Sequence, residues 1–312
     1  MAAYTTIDDA STVMQVQLYT GDGTTGRSIT FGGTDMSPSL VWIKNRDATD
    51  SHVWFDTVRG VTKYVSSDTT AMETTDANTL TAFDSNGFEI DDDVLVNTNT
   101  EDYVCWNWKA GTTGTDLSAG TITPTSSSIN TTSGIGIYAY NSTGSAATIA
   151  HGLGAVPAMV ICRQLTSGAS ETARDWPVYH HKNTTAPETD YLILNSNAAT
   201  ADALLWNDTA PTSTLISIGG GAEVNQVSGT YVMYVFVPIQ AYSKFGSYTG
   251  NGNADGPFVY TGFRPSFLMV KNSDTAATDW NLFDNKRPGY NENNYYLPPN
   301  RNIVENTVTN IS

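Results

Sequence analysis

A proline-led apolar segment occurs three times in the chain, as Pro38-Ser39-Leu40-Val41-Trp42-Ile43-Lys44, Pro157-Ala158-Met159-Val160-Ile161-Cys162-Arg163 and Pro265-Ser266-Phe267-Leu268-Met269-Val270-Lys271. Proline cannot donate to a sheet ladder and belongs at the first position of a strand, and the run behind it is short and rich in β-formers. Each copy therefore predicts a strand entered by a fixed turn. Both alternating sets are apolar, Leu40 and Trp42 on one side and Val41 and Ile43 on the other, and the sister segments follow suit. Such a strand is expected to be covered on both faces, inside its sheet.

The flanks repeat as well. Upstream stand Tyr19-Thr20-Gly21-Asp22-Gly23, Tyr140-Asn141-Ser142-Thr143-Gly144 and Tyr248-Thr249-Gly250-Asn251-Gly252; downstream stand Trp54-Phe55-Asp56, Trp176-Pro177-Val178-Tyr179-His180 and Trp280-Asn281-Leu282-Phe283-Asp284. The first two copies share an ending, Val96-Asn97 with Tyr103-Val104-Cys105-Trp106 against Val224-Asn225 with Tyr231-Val232-Met233-Tyr234. The prolines lie on the order of 100 residues apart, far beyond the roughly 20 to 50 residues of a solenoid or propeller repeat. Each repeat is therefore expected to be a domain.

Within the first repeat, strands are predicted at Val13 to Tyr19, His52 to Asp56, Thr62 to Val65 and Tyr103 to Trp108, with a hairpin over Phe83 to Ile90 turned by Asn86-Gly87. Apart from a turn near Thr70 to Ala77, no helical period stands out. Short strands at intervals of about ten residues predict an all-β chain of tandem antiparallel β-sandwich repeats, jelly-roll or lectin-like. The expected organisation is an N-terminal arm over 1–12, repeat one over 13–111, a Gly/Ser/Thr linker over 112–133, repeat two over 134–239 and repeat three over 240–312. The linker predicts a looser junction between repeats one and two than between two and three. By the spacing of the first two repeats, the closing Tyr-Val strand of the third falls beyond Ser312. The expectation is that the sequence stops short of those strands, the alternative being strands supplied by a partner.

Composition narrows the function. Charged residues are 15% of the 312, against a usual share of about a quarter. A net charge of −16 with fifteen Lys and Arg spread thinly argues against nucleic acid and against anionic lipid. The N-terminus lacks the basic start and apolar run of a signal peptide, and no stretch approaches the roughly 20 apolar residues of a membrane helix. A soluble chain made in the cytoplasm is expected. Cys105 aligns with Met233, and Cys162 with Ile43 and Val270, so both are read as small buried hydrophobes.

Candidate chemistry is sparse, and each candidate has a bland reading. Asp56 and Asp284 recur after an aromatic pair, but His180 replaces them in the second repeat, which suits a strand end better than acid-base work. Lys44, Arg163 and Lys271 form a repeated basic position, for which Asp56 and Asp284, two strands on, are the expected ion-pair partners. His180-His181 could contribute to a zinc site, but ligands at suitable spacing are missing. Asp91-Asp92-Asp93 could offer oxygens to calcium, yet reads as an acidic turn. Gly219-Gly220-Gly221 lacks the Gly-Lys-Ser/Thr of a phosphate loop. Tyr290, Tyr295 and Tyr296 offer flat faces of the kind that stack on sugars, although packing is the commoner use. No catalytic, cofactor-binding or metal-binding residue is assigned, no cofactor is expected, and the chain is read as not an enzyme.

The opening Tyr4-Thr5-Thr6-Ile7-Asp8-Asp9, the Tyr-Thr-Gly-Asp-Gly and Pro-Ser-Leu-Val-Trp-Ile-Lys-Asn blocks, Asp56-Thr57-Val58-Arg59-Gly60, and Lys244 to Gly252 followed by Gly256 to Pro265 resemble a tandem-repeat family of tailed, often marine, bacteriophages. Its members are virion-associated, tail-fibre-like proteins. The resemblance implies a structural component of a phage particle, localised to the virion and involved in host-surface attachment. It also implies partners: other virion proteins docked through the arm, further copies of the chain in a homo-oligomer such as a trimer, and a host-surface glycan. It brings no catalytic or binding residues with it. The competing readings are a tail-associated polysaccharide depolymerase, which needs paired carboxylates in a groove, and a bacterial adhesin, which needs a secretion or anchoring signal.

Overall fold

The computed structural model describes residues 5–111, 117–168, 173–253, 255–287 and 294–307. The chain is all-β, built from several antiparallel sheets with two helices of a single turn. In the first unit the strands are β1 (Met14–Thr20), β2 (Arg27–Ile29), β3 (Leu40–Asn45), β4 (Val53–Asp56), β5 (Lys63–Ser66), β6 (Thr74–Thr75), β7 (Leu80–Asp84), β8 (Gly87–Ile90) and, after helix α1 (Val94–Asn97), β9 (Asp102–Trp108). The second unit contains β10 (Ser126–Asn130), β11 (Ile135–Asn141), β12 (Ala147–Ala150), β13 (Met159–Thr166), β14 (Pro177–His180), β15 (Asp190–Ile193), β16 (Ala201–Asp202), β17 (Leu215–Ile218), helix α2 (Ala222–Asn225) and β18 (Thr230–Phe236). The third contains β19 (Phe267–Val270), β20 (Asn281–Asp284), β21 (Tyr295–Tyr296) and β22 (Asn306–Thr307).

The large sheet of the first unit has the order β1-β9-β3-β4-β5-β6, and that of the second has β10-β11-β18-β13-β14-β15-β16. Apart from the added edge strand β10, the two orders correspond strand for strand. The closing strand is central in both, hydrogen-bonded on one side to the first strand and on the other to the proline-led strand. As the alternation predicts, β3 and β13 are interior strands whose residues from Leu40 to Asn45 and from Met159 to Leu165 are all buried; β19, expected to be interior as well, departs from this, since among the described residues it pairs with β20 alone and Leu268 is exposed.

The two faces of each large sheet meet different partners. Val41, Ile43, Val53, Phe55, Tyr103 and Cys105 pack with Ile29, Leu80, Phe88 and Ile90 of the three-stranded sheet β2-β8-β7. Tyr138, Tyr140, Val160, Cys162 and Met233 pack in the same way with Ile149, Ile216 and Ile218 of the pair β12-β17. The opposite faces converge on one core that draws Leu40, Trp42, Trp54 and Trp106 from the first unit, Ile137, Ile161, Trp176 and Tyr234 from the second, and Trp280, Leu282 and Leu297 from the third.

Two sequence expectations change here. Part of the stretch expected as a linker is structured: β10 pairs with β11, and Ile122 bridges Ile149, because Ile122 and Ile129 bury their side chains while the intervening Ser and Thr tolerate a half-exposed edge. Units one and two are in direct contact across their junction. Trp54 packs at 5.4 Å from Trp176 and 5.0 Å from Tyr234, and the Trp176 indole donates to the Thr69 carbonyl at 3.2 Å. The stretch near 70 to 77, expected to hold a turn, does turn at Ala77 but also contains the two-residue strand β6, paired with β5.

Candidate functional site

Register decides what the recurring acidic position does. Leu40 is opposite Asp56, Met159 opposite His180 and Phe267 opposite Asp284, so the three residues end corresponding strands. Each then opens a turn in which its side chain accepts backbone N–H groups. Asp56 Oδ1 accepts from Val58 and Arg59 at 3.1 and 2.9 Å, Asp284 Oδ1 from Lys286 and Arg287 at 3.0 and 2.9 Å, and His180 Nδ1 from Lys182 at 3.2 Å.

That turn returns an arginine to the carboxylate. Arg59 Nε donates to Asp56 Oδ2 at 2.6 Å, and Arg287 Nε to Asp284 Oδ2 at 2.7 Å, with all four side chains buried. The guanidiniums continue to a second acid, Arg59 to Glu73 at 3.4 Å and Arg287 to Glu305 at 3.0 Å. A neighbouring unit supplies a further donor to each carboxylate. Tyr234 Oη of unit two donates to Asp56 Oδ2 at 2.8 Å, and Trp106 Nε1 of unit one donates to Asp284 Oδ2 at 3.1 Å. Two buried Asp-Arg-Glu clusters thus tie unit two to unit one and unit one to unit three. At the third seam the positions are held by His180, Asn183 and Thr200, where Thr200 donates to Asn183 Oδ1 at 2.8 Å and its backbone N–H reaches the Ser273 carbonyl at 2.8 Å. Trp280 of unit three completes this seam by donating to the Ile193 carbonyl of unit two at 2.9 Å. The contacts run in one cyclic sense.

The expected pairing of Asp56 and Asp284 with the repeated basic position does not form. With Asp56 opposite Leu40, Lys44 stands at the far end of β3, and its ammonium bonds the carbonyls of Asn45 and Ala48. Arg163 bonds the carbonyls of Arg174 and Ala71, and Lys271 those of Asn272 and the Thr278 hydroxyl. Burial pulls the Lys44 pKa down to about 8 against the nearby carboxylates Asp50, Asp68, Asp47 and Glu101. The Asp-x-x-Arg spacing was in the sequence, in Asp56 to Arg59 and Asp284 to Arg287, and is the signal for the true partner.

A second recurring set is a joint between the first and closing strands. Asn97 Oδ1 accepts from the Asp22 N–H at 3.0 Å while its Nδ2 donates to the Thr24 carbonyl at 2.9 Å; Asn225 Oδ1 accepts from Thr143 at 2.7 Å while its Nδ2 donates to Ser145 at 2.6 Å. Tyr103 Oη accepts from the Thr98 N–H and donates to the Val94 carbonyl, each at 2.8 Å, and Tyr231 makes the matching pair of bonds around α2. Tyr19 stacks on Tyr103 and Tyr140 on Tyr231, at 5.0 and 5.5 Å. Gly21 is needed because a Cβ there would stand 1.9 Å from the Thr98 carbonyl oxygen.

The family model described as a domain of unknown function, DUF7483, matches residues 9–311. The chain belongs to the DUF7483 family. No curated protein and no solved structure matches it.

In this DUF7483 chain the remaining candidates stay apart. His180 packs on Phe245 with ring centroids 6.5 Å apart, burial lowers its pKa to about 4, and His181 Nε2 faces the Phe245 carbonyl at 3.3 Å. Among the described residues no three His, Cys, Asp or Glu side chains are grouped to hold a metal. Asp93 caps α1 by accepting from the Leu95 N–H at 2.8 Å. Gly219 to Gly221 precede α2, where Gly219 abuts the Leu204 carbonyl. Cys105 and Cys162 are free and buried, their thiols pushed up to about 12 by burial. Tyr295 and Tyr296 form the short strand β21 against β22, and Tyr290 lies outside the described residues. A polar groove lies between Asn195, Ser196 and Asn197 of unit two and Asp279, Asn300 and Arg301 of unit three. Its acid is engaged, since Asn300 and Arg301 bond Asp279 at 2.7 and 3.0 Å.

Proposed function

We propose that this DUF7483 chain is a structural component of a bacteriophage particle, a fibre-like or appendage protein that takes part in host-surface attachment. In this reading three copies of one β-sandwich unit are docked around a shared core. Support for the sandwich comes from the small sheets, which share a core with one face of each large sheet. Support for a non-catalytic role comes from one observation: the ionisable residues that recur between units are engaged with one another and with a neighbour's aromatic donor, as in Arg59-Asp56-Tyr234 and Arg287-Asp284-Trp106. Buried charges placed this way bind units together, since each carboxylate oxygen has its partners inside the fold. The link to a phage particle rests on the sequence blocks that resemble virion-associated repeat proteins. Partners in this reading are other virion proteins, further copies of the chain as a trimer, and a glycan of the host surface.

Immunogold labelling of purified particles with an antibody against the chain tests the placement. Gold on the particles is the expected result. Unlabelled particles, together with monomers alone by mass photometry at micromolar concentration, would overturn it. Spotting the purified chain on a bacterial lawn tests the depolymerase alternative. The expectation is an intact lawn, and clearing that an Asp279→Asn change abolishes would establish an enzyme instead.

A further inference from the structure

Each seam carries a main-chain bond between units, and the three bonds are equivalent. The Glu73 N–H donates to the Leu165 carbonyl at 3.1 Å, Thr200 to Ser273 at 2.8 Å and Glu305 to Arg46 at 2.8 Å. Leu165, Ser273 and Arg46 each stand two residues beyond the recurring basic position held by Arg163, Lys271 and Lys44. The rings beside these bonds also correspond. Trp54, Val178 and Leu282 lie opposite Trp42, Ile161 and Met269, so the residues two before them, His52, Trp176 and Trp280, share one place in the register. Their backbone N–H groups are received alike, by Asp68 at 2.9 Å, Asn195 at 2.8 Å and Asn300 at 3.0 Å. Trp176 and Trp280 use that place to donate an indole N–H to a carbonyl of the next unit, Thr69 and Ile193. At the seam of units one and three the ring is an imidazole.

His52 is fully buried and lies parallel to Trp106 at 6.4 Å. Its Nδ1 accepts the Trp42 indole N–H at 3.1 Å, a bond that only an unprotonated Nδ1 can make. Its Nε2 lies by the Pro298 carbonyl of unit three and completes no hydrogen bond of good geometry. The charged groups around the ring offer a proton no counterion. Lys44 on β3 and Arg287 of unit three are cations, the Asp68 carboxylate is taken by the His52 main chain and Ser51, and Asp284 is taken by Arg287 and Trp106. Arg46 and Glu305, across the same seam, pair with each other at 2.7 Å. We propose that the seam of units one and three is an acid-released joint: a proton on His52 breaks its bond to Trp42, adds a cation beside Lys44 and Arg287, and parts the two units, while the seams closed by Trp176 and Trp280 hold. Burial and the two cations keep the closed imidazole well below its ordinary 6.5, whereas in the parted seam it is hydrated and titrates near that value. Parting therefore takes up a proton and is favoured as pH falls below 6.5. Asp68 acts the other way in its own range, since burial raises its carboxyl above 3.8 and a proton there favours the closed joint. His180, at the seam closed by Trp280, is half-buried and is protonated without parting it.

Amide hydrogen exchange of the intact chain tests this from about pH 7.5 to about pH 5, each rate being divided by the intrinsic rate at that pH. The amides of Glu305, Thr200 and Glu73 report the three seams separately. Protection at Glu305 is expected to fall by about tenfold or more over this range, and protection at Thr200 and Glu73 by less than about threefold. His52→Asn keeps an oxygen for the Trp42 N–H and does not titrate, so it is expected to hold protection at Glu305 level across the range. His180→Asn is expected to leave the acid loss at Glu305 in place. Unchanged protection at Glu305 in the natural chain, or an equal loss at all three reporters, overturns the proposal whether or not the variants fold. So does an acid loss at Glu305 that persists in His52→Asn.

Discussion

At Asp56 a single carboxylate caps a turn, neutralises Arg59 and receives the phenol of another unit, so the three bonds fail in graded steps. Tyr234→Phe removes one neutral donor and is expected to lower stability by about 1 to 2 kcal/mol. Asp56→Ala leaves a buried guanidinium without its closest acid and is expected to cost about 3 to 5 kcal/mol. Urea denaturation of both variants reads the difference; equal losses would show that the carboxylate matters only as Tyr234's acceptor. Lys44 adds a dependence on pH. Its folded pKa of about 8 lies below the ordinary 10.5, so between those values the unfolded chain binds more protons and stability rises with pH. The buried tyrosines act oppositely above their ordinary 10.0. Burial raises Tyr138, Tyr140, Tyr231 and Tyr234, the folded chain keeps protons that the unfolded one releases, and stability falls. Thermal denaturation is therefore expected to peak between about pH 8 and 10, and Lys44→Met should flatten the rising limb while sparing the falling one. These roles were half legible. The Asp-x-x-Arg spacing stood in the sequence, but ruling out Lys44 as the partner of Asp56 required the register, which sets Asp56 opposite Leu40 at the other end of β3.

Among the elements, the proline-led strands and the hairpin over Phe83 to Ile90 were readable because alternation and turn chemistry are local signals, although the turn residues are Ser85 and Asn86 and Gly87 already opens β8 opposite Asp84. Helices α1 and α2 were not, since four residues are too few to show a helical period. Their use is to aim one asparagine. Asn225 joins the chain around Thr143 to the approach of β18 through donors and acceptors far apart in sequence. Asn225→Ala strands the Thr143 N–H and two carbonyls and is expected to destabilise by about 2 to 4 kcal/mol, by the cost of unmade buried hydrogen bonds. Exchange at Thr143 to Ser145 should rise before global unfolding does. Strand β10 was hidden for a related reason: a Ser-rich sequence resembles a linker, and it pairs only because its neighbour β11 offers a complete edge.

Across the whole molecule, the shared core makes the units interdependent. Trp176 packs against Trp54, donates to Thr69 and lies under the Arg163 guanidinium at 5.2 Å, so one side chain serves two units. Trp176→Ala is expected to cost about 3 to 5 kcal/mol and to shift a single calorimetric transition, with the ratio of calorimetric to van't Hoff enthalpy near one. Separate transitions for units one and two would contradict this. The inward faces were predicted as core, but their destination was not: strand alternation says that a face is covered without saying by what. An indole donates to a main-chain oxygen both at the seam of units one and two and at the seam that holds His180, while the seams differ in what meets the recurring position: a phenol on Asp56, an indole on Asp284, and a histidine in place of the carboxylate at the third. Units sharing these short blocks could otherwise meet in more than one order, and the unlike residues at the recurring position favour the one observed. They also place the recurring Asp-Arg pairs at the hub, so that loops away from it can vary without disturbing how the units meet.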